Sequence, residues 1–318
     1  MAFDYFLYKG VKFSPGSYSE ELLNSVENEF QVLDDDVYIV TYPKSGTNWL
    51  IEILSLIKKD ADPNWVNSVV IWLRSPWIET KEGQQQIKDV SRPRVLTSHL
   101  PFHIFPKSFF TSKAKIIYVM RNPKDIFVSL FFFAKIICHY KDPESFEQYL
   151  EDFLQGNILY NSWFDHVKGW MQMKDNSNFF IVTYEELHQD LRGCITRICK
   201  FIGKELDDAK IDLIAKHSSF EVMKENKMSN YSLGTKEFID HTKGSFMRKG
   251  KRLLNGGCPI FLIILICNRK LSAAAYSEQL DFSHLALLPC TGAPHLRSRL
   301  AILCVSGTAR AQCTLGSC

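Results

Sequence analysis

No apolar run in this chain is long enough to cross a bilayer. Ile260–Ile266 comes nearest, with seven residues against the ~20 that a spanning helix needs. It is expected to pack against the body or to favour aggregation. The start, Met1-Ala2-Phe3-Asp4-Tyr5, lacks the basic stretch and apolar core of a signal peptide, so a cytoplasmic location is expected. The six cysteines scattered over residues 251–318 then read as reduced thiols, not as a disulfide framework. No Cys/His cluster has zinc spacing, so no metal is expected. The phosphate-loop string G-x-x-x-x-G-K-[ST] is absent as well, which argues against a nucleotide kinase. Charge of one sign is also missing. Residues 1–250 carry 31 basic and 33 acidic side chains, and residues 251–318 carry seven against two. The overall +3 therefore belongs to the end of the chain and predicts no nucleic-acid surface.

What is present begins with Tyr42-Pro43-Lys44-Ser45-Gly46-Thr47-Asn48-Trp49. It follows the strand-like Val37-Tyr38-Ile39-Val40 and leads into an amphipathic helical stretch from Leu50. A strand, a tight turn and a helix start present backbone N–H groups and a positive dipole end to an anion. Lys44 adds a charge, Ser45 and Thr47 add hydroxyls, and Trp49 is placed to stack on a base. The competing reading is a turn that merely joins strand to helix. A second unit has the same form. Lys115–Met120 reads as a buried strand, Arg121 ends it, and Asn122-Pro123-Lys124-Asp125 opens a helix in which Ser129 lies about two turns on. Arg121 there suits bidentate phosphate recognition, with a salt bridge to a carboxylate as the alternative.

Strand-like runs at 37–42, 94–98, 115–120 and 178–184 alternate with helical stretches. This predicts an α/β fold, a parallel β-sheet flanked by helices, with the site at the strands' carboxyl ends. Lys44, His99, Arg121 and Tyr184 each end or closely follow one of these runs. His99 is the candidate general base, because neutral imidazole is available near pH 7, and a structural histidine at a strand end is the alternative. Trp72, Trp77, Phe131, Phe132, Phe133 and Tyr160 are candidates for a hydrophobic slot that takes a flat alcohol, or for ordinary core. Lys224–Leu233, polar and without periodicity, reads as a lid.

Five motifs carry a resemblance. Residues 42–49, Ser98-His99-Leu100-Pro101, Arg121–Asp125, Thr183-Tyr184-Glu185-Glu186-Leu187 and Arg248-Lys249-Gly250 are similar, in order, to the signatures of the cytosolic sulfotransferases. Trp72–Trp77, Phe105–Phe110, Lys224–Ser232 and Thr97 resemble the hydroxysteroid branch in particular. The resemblance implies the sulfotransferase fold with a P-loop-like phosphosulfate-binding loop. It also implies 3′-phosphoadenosine 5′-phosphosulfate (PAPS) as co-substrate, a small hydrophobic alcohol such as a hydroxysteroid or bile acid as acceptor, and no metal. Lys44 would be catalytic beside His99. Lys44, Ser45, Gly46, Thr47, Asn48 and Trp49 would hold the phosphosulfate and adenine, and Arg121 and Ser129 the 3′-phosphate. Tyr184, Ser218, Phe220 and Met223 would border the adenine, and Arg248, Lys249 and Gly250 would close over the 3′-phosphate. Trp72, Trp77, Phe133, Tyr160 and Tyr231 would contact the acceptor, with Ala134 and Ile137 as positions where pocket shape differs between relatives.

After Gly250 the resemblance stops. Residues 251–318 hold six of the nine cysteines and none of the six tryptophans. They read as a divergent tail, an alternative C-terminus after a sulfotransferase domain at 1–250. The family's C-terminal dimer-forming motif is absent from it, which leaves a family-type homodimer in doubt. The alternative function is a catalytically impaired form that folds and binds nucleotide or steroid weakly.

Overall fold

Four apolar runs pair side by side in the computed structural model, which describes residues 5–248. They are β3 (Val37–Thr41), β4 (Val95–Ser98), β5 (Lys115–Met120) and β6 (Phe179–Thr183), parallel and in the order β4-β3-β5-β6. Each lies within about a residue of the run expected from the sequence. Strands of a parallel sheet are covered on both faces, which is why β3 is buried at every residue and no polar–apolar alternation marks it. Ahead of the sheet, β1 (Phe6–Tyr8) and β2 (Val11–Phe13) form an antiparallel hairpin. Its two-residue turn, Lys9-Gly10, has positive φ at both positions, as a primed turn requires.

Strand order reverses between β3 and β5. The chain leaves β3 for β4 on one side, then returns past β3 to β5 and continues to β6 on the other. A crevice forms at such a switch point, outside the carboxyl ends of the strands. Register fixes what faces it: Val40 pairs with Ser98, Thr41 with Val119, and Met120 with Thr183. The residues that follow these pairs, Tyr42, His99, Arg121 and Tyr184, are thereby brought to one edge.

Helix α1 (Thr47–Lys58) is apolar nearly all round and is buried among β3, β5 and the later helices. Helix α2 (Pro123–Ile136) starts as its sequence predicts. Asn122 caps it by accepting from the Lys124 N–H, and Pro123 occupies the first turn. Helix α3 (Tyr184–Gln189) opens with a capping box in which Thr183 and Glu186 each accept the other's backbone N–H. The Asn122 N–H also donates to Glu185 Oε1 at 2.9 Å, which ties the starts of α2 and α3 together.

Candidate active site

The turn between β3 and α1 is built on two left-handed residues, Lys44 (φ 69°) and Gly46 (φ 117°). Gly46 has a second reason to lack a side chain, since a Cβ there would stand 2.9 Å from the Tyr184 ring. The first N–H groups of α1 have no acceptor within the helix, and their residues, Thr47, Asn48 and Trp49, line the same crevice. Thr41 links this turn to the candidate base. Its Oγ1 lies 2.7 Å from Thr47 Oγ1 and 3.1 Å from His99 Nδ1.

His99 follows β4, and its Nδ1 lies 2.8 Å from the Thr41 carbonyl oxygen. A carbonyl accepts only, so Nδ1 carries the proton and Nε2 keeps its lone pair. Burial pushes the imidazole down to about 4; the Thr41 carbonyl partly opposes this, and Lys44 adds to it. The His99 backbone N–H donates to Glu79 Oε1 at 2.7 Å. Glu79 is itself fully buried, and burial raises its carboxyl to about 7. Glu79 lies two residues beyond the Trp72–Trp77 run that carries the branch resemblance, and no local signal in the sequence marks it.

Three cations converge on the crevice. Lys44 Nζ stands 4.1 Å from the centroid of Phe133 and 4.5 Å from that of Phe246. Arg121 donates from Nη1 to the Lys44 carbonyl at 3.0 Å and lies over the Tyr184 ring at 4.0 Å. The Arg248 guanidinium lies 4.1 Å from the Phe132 centroid. Burial drives Lys44 down to about 7, and repulsion from Arg121 and Arg248 adds to the shift. Ser45 Oγ, Trp49 Nε1 and Arg121 Nε are buried without a hydrogen-bond partner. Unpaired buried donors beside crowded cations are costly unless an anion and a polar ring complete them. An anionic nucleotide therefore fits these residues.

That fit has a measurable signature. Bound anions would restore the positive form of Lys44, whose proton is largely lost above pH 7 without a ligand. Titration with the nucleotide 3′-phosphoadenosine 5′-phosphate (PAP) at pH 8, in buffers of different ionisation enthalpy, is expected to show net proton uptake. The uptake should shrink at pH 6, where Lys44 is already charged. An uptake independent of pH would remove Lys44 from the binding site.

A cavity of about 830 Å³ joins these groups to an apolar chamber. Every catalytic and donor-site candidate among the described residues lines it except Ser45, which is fully buried. Of the acceptor candidates, Trp72, Trp77, Phe133, Tyr160 and Tyr231 all line the wall. Phe131 does not, because it packs against Phe146 and Tyr149 in the core. Phe132 sits under Arg248, and Ala134 is buried away from the wall that Ile137 shares. Lys249, Gly250 and the expected tail at 251–318 lie outside the described residues. Phe246 was not foreseen. It stacks on Tyr231 at 4.1 Å and so joins the acceptor wall to Lys44. The polar stretch 224–233 is not free to act as a simple lid. Arg74 donates to the Met228 carbonyl and to Ser229 Oγ, and Asn226 donates to the Val66 carbonyl.

A family model described as the sulfotransferase domain matches residues 34–252. The chain belongs to the sulfotransferase family. Mouse sulfotransferase 2B1 is 51% identical over 247 residues, which are 78% of this chain and 73% of the relative. The guinea pig (Cavia porcellus) 3-beta-hydroxysteroid sulfotransferase is 51% identical over 244 residues, 76% of this chain and 84% of its own. Among solved structures, mouse sulfotransferase SULT7A1 complexed with PAP superposes with a TM-score of 0.69 at 28% identity, covering 88% of this chain and 96% of that one. Retinol dehydratase, solved with androsterone and PAP, shares the fold with a TM-score of 0.73 at 21% identity, covering 89% and 92%. In this sulfotransferase no helix of the described residues is long and apolar enough to cross a membrane.

Proposed function

We propose that this sulfotransferase moves a sulfuryl group from PAPS to the hydroxyl of a hydrophobic alcohol, with hydroxysteroids as the acceptor class. The observation that carries the proposal is one cavity. It holds Lys44, Arg121 and Arg248 at one end and the aromatic wall of Trp72, Trp77, Phe133 and Tyr231 at the other, with His99 on its lining. The names of the relatives point to the same acceptor class.

The donor supplies an electrophilic sulfur whose leaving group is a phosphate oxygen. As the acceptor oxygen bonds to sulfur, its proton passes to His99 Nε2 and the sulfur–oxygen bond to the phosphate breaks. Negative charge then grows on that phosphate oxygen, and Lys44 stabilises it electrostatically. The turn from Lys44 to Trp49 would hold the phosphosulfate. Arg121, Ser129, Arg248, Lys249 and Gly250 would hold the 3′-phosphate, and Tyr184, Ser218, Phe220 and Met223 would border the adenine. We also take residues 1–250 as the catalytic domain, residues 251–318 as a divergent tail, and the cytoplasm as its place.

Calorimetric titration of the full chain with PAP tests the donor site, and Lys44→Ala is expected to weaken binding by an order of magnitude or more. A steroid-alcohol turnover assay with labelled donor tests the reaction. A folded chain that fails to bind PAP would overturn the proposal in favour of a non-catalytic product.

A further inference from the structure

The acceptor chamber is not apolar throughout. Ser17, Glu82, Gln86 and His139 also line it. None of their side chains has a hydrogen-bond partner among the described residues; Glu82 is exposed and Ser17 and Gln86 are half-buried, whereas His139 Nδ1 is buried without a partner. They come from three segments that meet at this edge. The Lys81 N–H donates to the Ser17 carbonyl at 3.1 Å, which ties the short helix Lys81–Gln86 to the N-terminal loop. The His139 ring rests against Gly16, where any side chain would overlap it, and its other neighbour is Phe238 at 6.0 Å. Glu82 faces His139 and Tyr18 electrostatically. Burial lowers the His139 imidazole, with Glu82 opposing, so this ring is neutral near pH 7.

None of the four is among the groups seen to contact His99 or the three cations in the described residues. The Tyr160 ring lies 5.4 Å from His99, and its hydroxyl lies 2.7 Å from that of Tyr18, which in turn neighbours Glu82. The cavity thus runs from cations and base, past Tyr160 and Tyr18, to an edge that offers one carboxylate acceptor, one amide, one hydroxyl and one neutral imidazole. A hydrocarbon placed there would displace water from these groups without replacing its hydrogen bonds, and a carboxylate would face Glu82. A hydroxyl both donates and accepts, so it suits the set.

We infer that this edge is a second recognition subsite, selecting acceptors that carry another hydroxyl at the end remote from the one sulfated and disfavouring those with a carboxylate there. The inference rests on the sulfotransferase reading above and narrows its acceptor class from hydroxysteroids at large to diols.

The test uses the full chain with PAP and three matched acceptors. They are a rigid tetracyclic mono-alcohol, the same skeleton with a remote second hydroxyl, and the same skeleton with a remote carboxylate. Equilibrium binding is read by quenching of tryptophan fluorescence, and kcat/KM is read with labelled donor. The diol is expected to exceed the mono-alcohol by about tenfold or more in both readouts, with the carboxylate weakest. Glu82→Gln should raise the carboxylate relative to the diol, and His139→Phe should shrink the diol's advantage over the mono-alcohol. Equal binding of all three, or ratios that neither substitution moves, would overturn the subsite. Should none of the acceptors be sulfated, the functional reading falls, and the binding ratios still decide whether the polar edge selects a diol.

Discussion

Replacing His99 with Gln is expected to lower kcat for sulfuryl transfer by about 10²–10⁴-fold, the range a positioned general base contributes. Binding of PAP should stay within about twofold, because His99 faces the acceptor side and holds no proposed phosphate contact. The Thr41 carbonyl makes the expectation specific. It fixes the proton on Nδ1, so the lone pair on Nε2 is the group that Gln cannot replace. pH gives a second check. A base must be deprotonated and a charge-stabilising lysine protonated, so kcat/KM should fall at both extremes. For the free enzyme the acid limb belongs to His99 near 4 and the alkaline limb to Lys44 near 7. The anionic donor should lift both groups, which moves the kcat profile upward in pH relative to kcat/KM. Single-turnover rates of the variant with prebound donor isolate chemistry from binding. A His99→Gln enzyme that turns over at the native rate would place the base elsewhere.

The strands and the two helix starts were legible because their signals are local. An apolar β-branched run, an arginine at its end and an Asn-Pro pair lie within ten residues of one another at 115–124. The parallel register then needs no further information to line up His99, Arg121 and Tyr184. The N-terminal hairpin was equally local but was missed, since Lys9-Gly10 lacks the usual Asn or Asp. Phe246 was illegible for a different reason. It reaches Lys44 across some two hundred residues, and no spacing rule connects the two. The same holds for Glu79, whose role appears only once the His99 backbone N–H is seen to need an acceptor. Polarity misled at 224–233. Asn, Ser and Lys usually mark a solvated loop, yet here Ser229 is fully buried and its hydroxyl serves an ion pair.

That ion pair carries the largest expected effect on stability. Arg74 and Glu52 meet at 2.8 Å with side chains 0% and 1% exposed. Burial raises the Glu52 carboxyl, and Arg74 and Ser229 oppose the shift. Ser229 Oγ lies 2.8 Å from Glu52 Oε2 and 2.9 Å from Arg74 Nη2, so the three groups close a triangle. Removing one partner leaves the other's charge stranded, and Arg74→Ala is expected to cost about 3–5 kcal/mol. Replacing both, as Glu52→Gln with Arg74→Met, should recover much of that loss, since no charge then stays buried alone. Urea titration at fixed pH reads the difference as a shift in midpoint at constant slope. Equal losses in the single and double variants would show that packing, not charge, dominates. The pair also spans three parts of the site. Glu52 belongs to α1, Arg74 closes the turn that bears Trp72, and Ser229 precedes Tyr231, whose ring lies 5.2 Å from Trp72 and whose hydroxyl lies 3.5 Å from Asn48 Oδ1. Ser229→Ala, which keeps the ion pair, should therefore loosen the acceptor wall and raise KM for the alcohol more than it lowers stability. An unchanged KM would confine the network to a structural role.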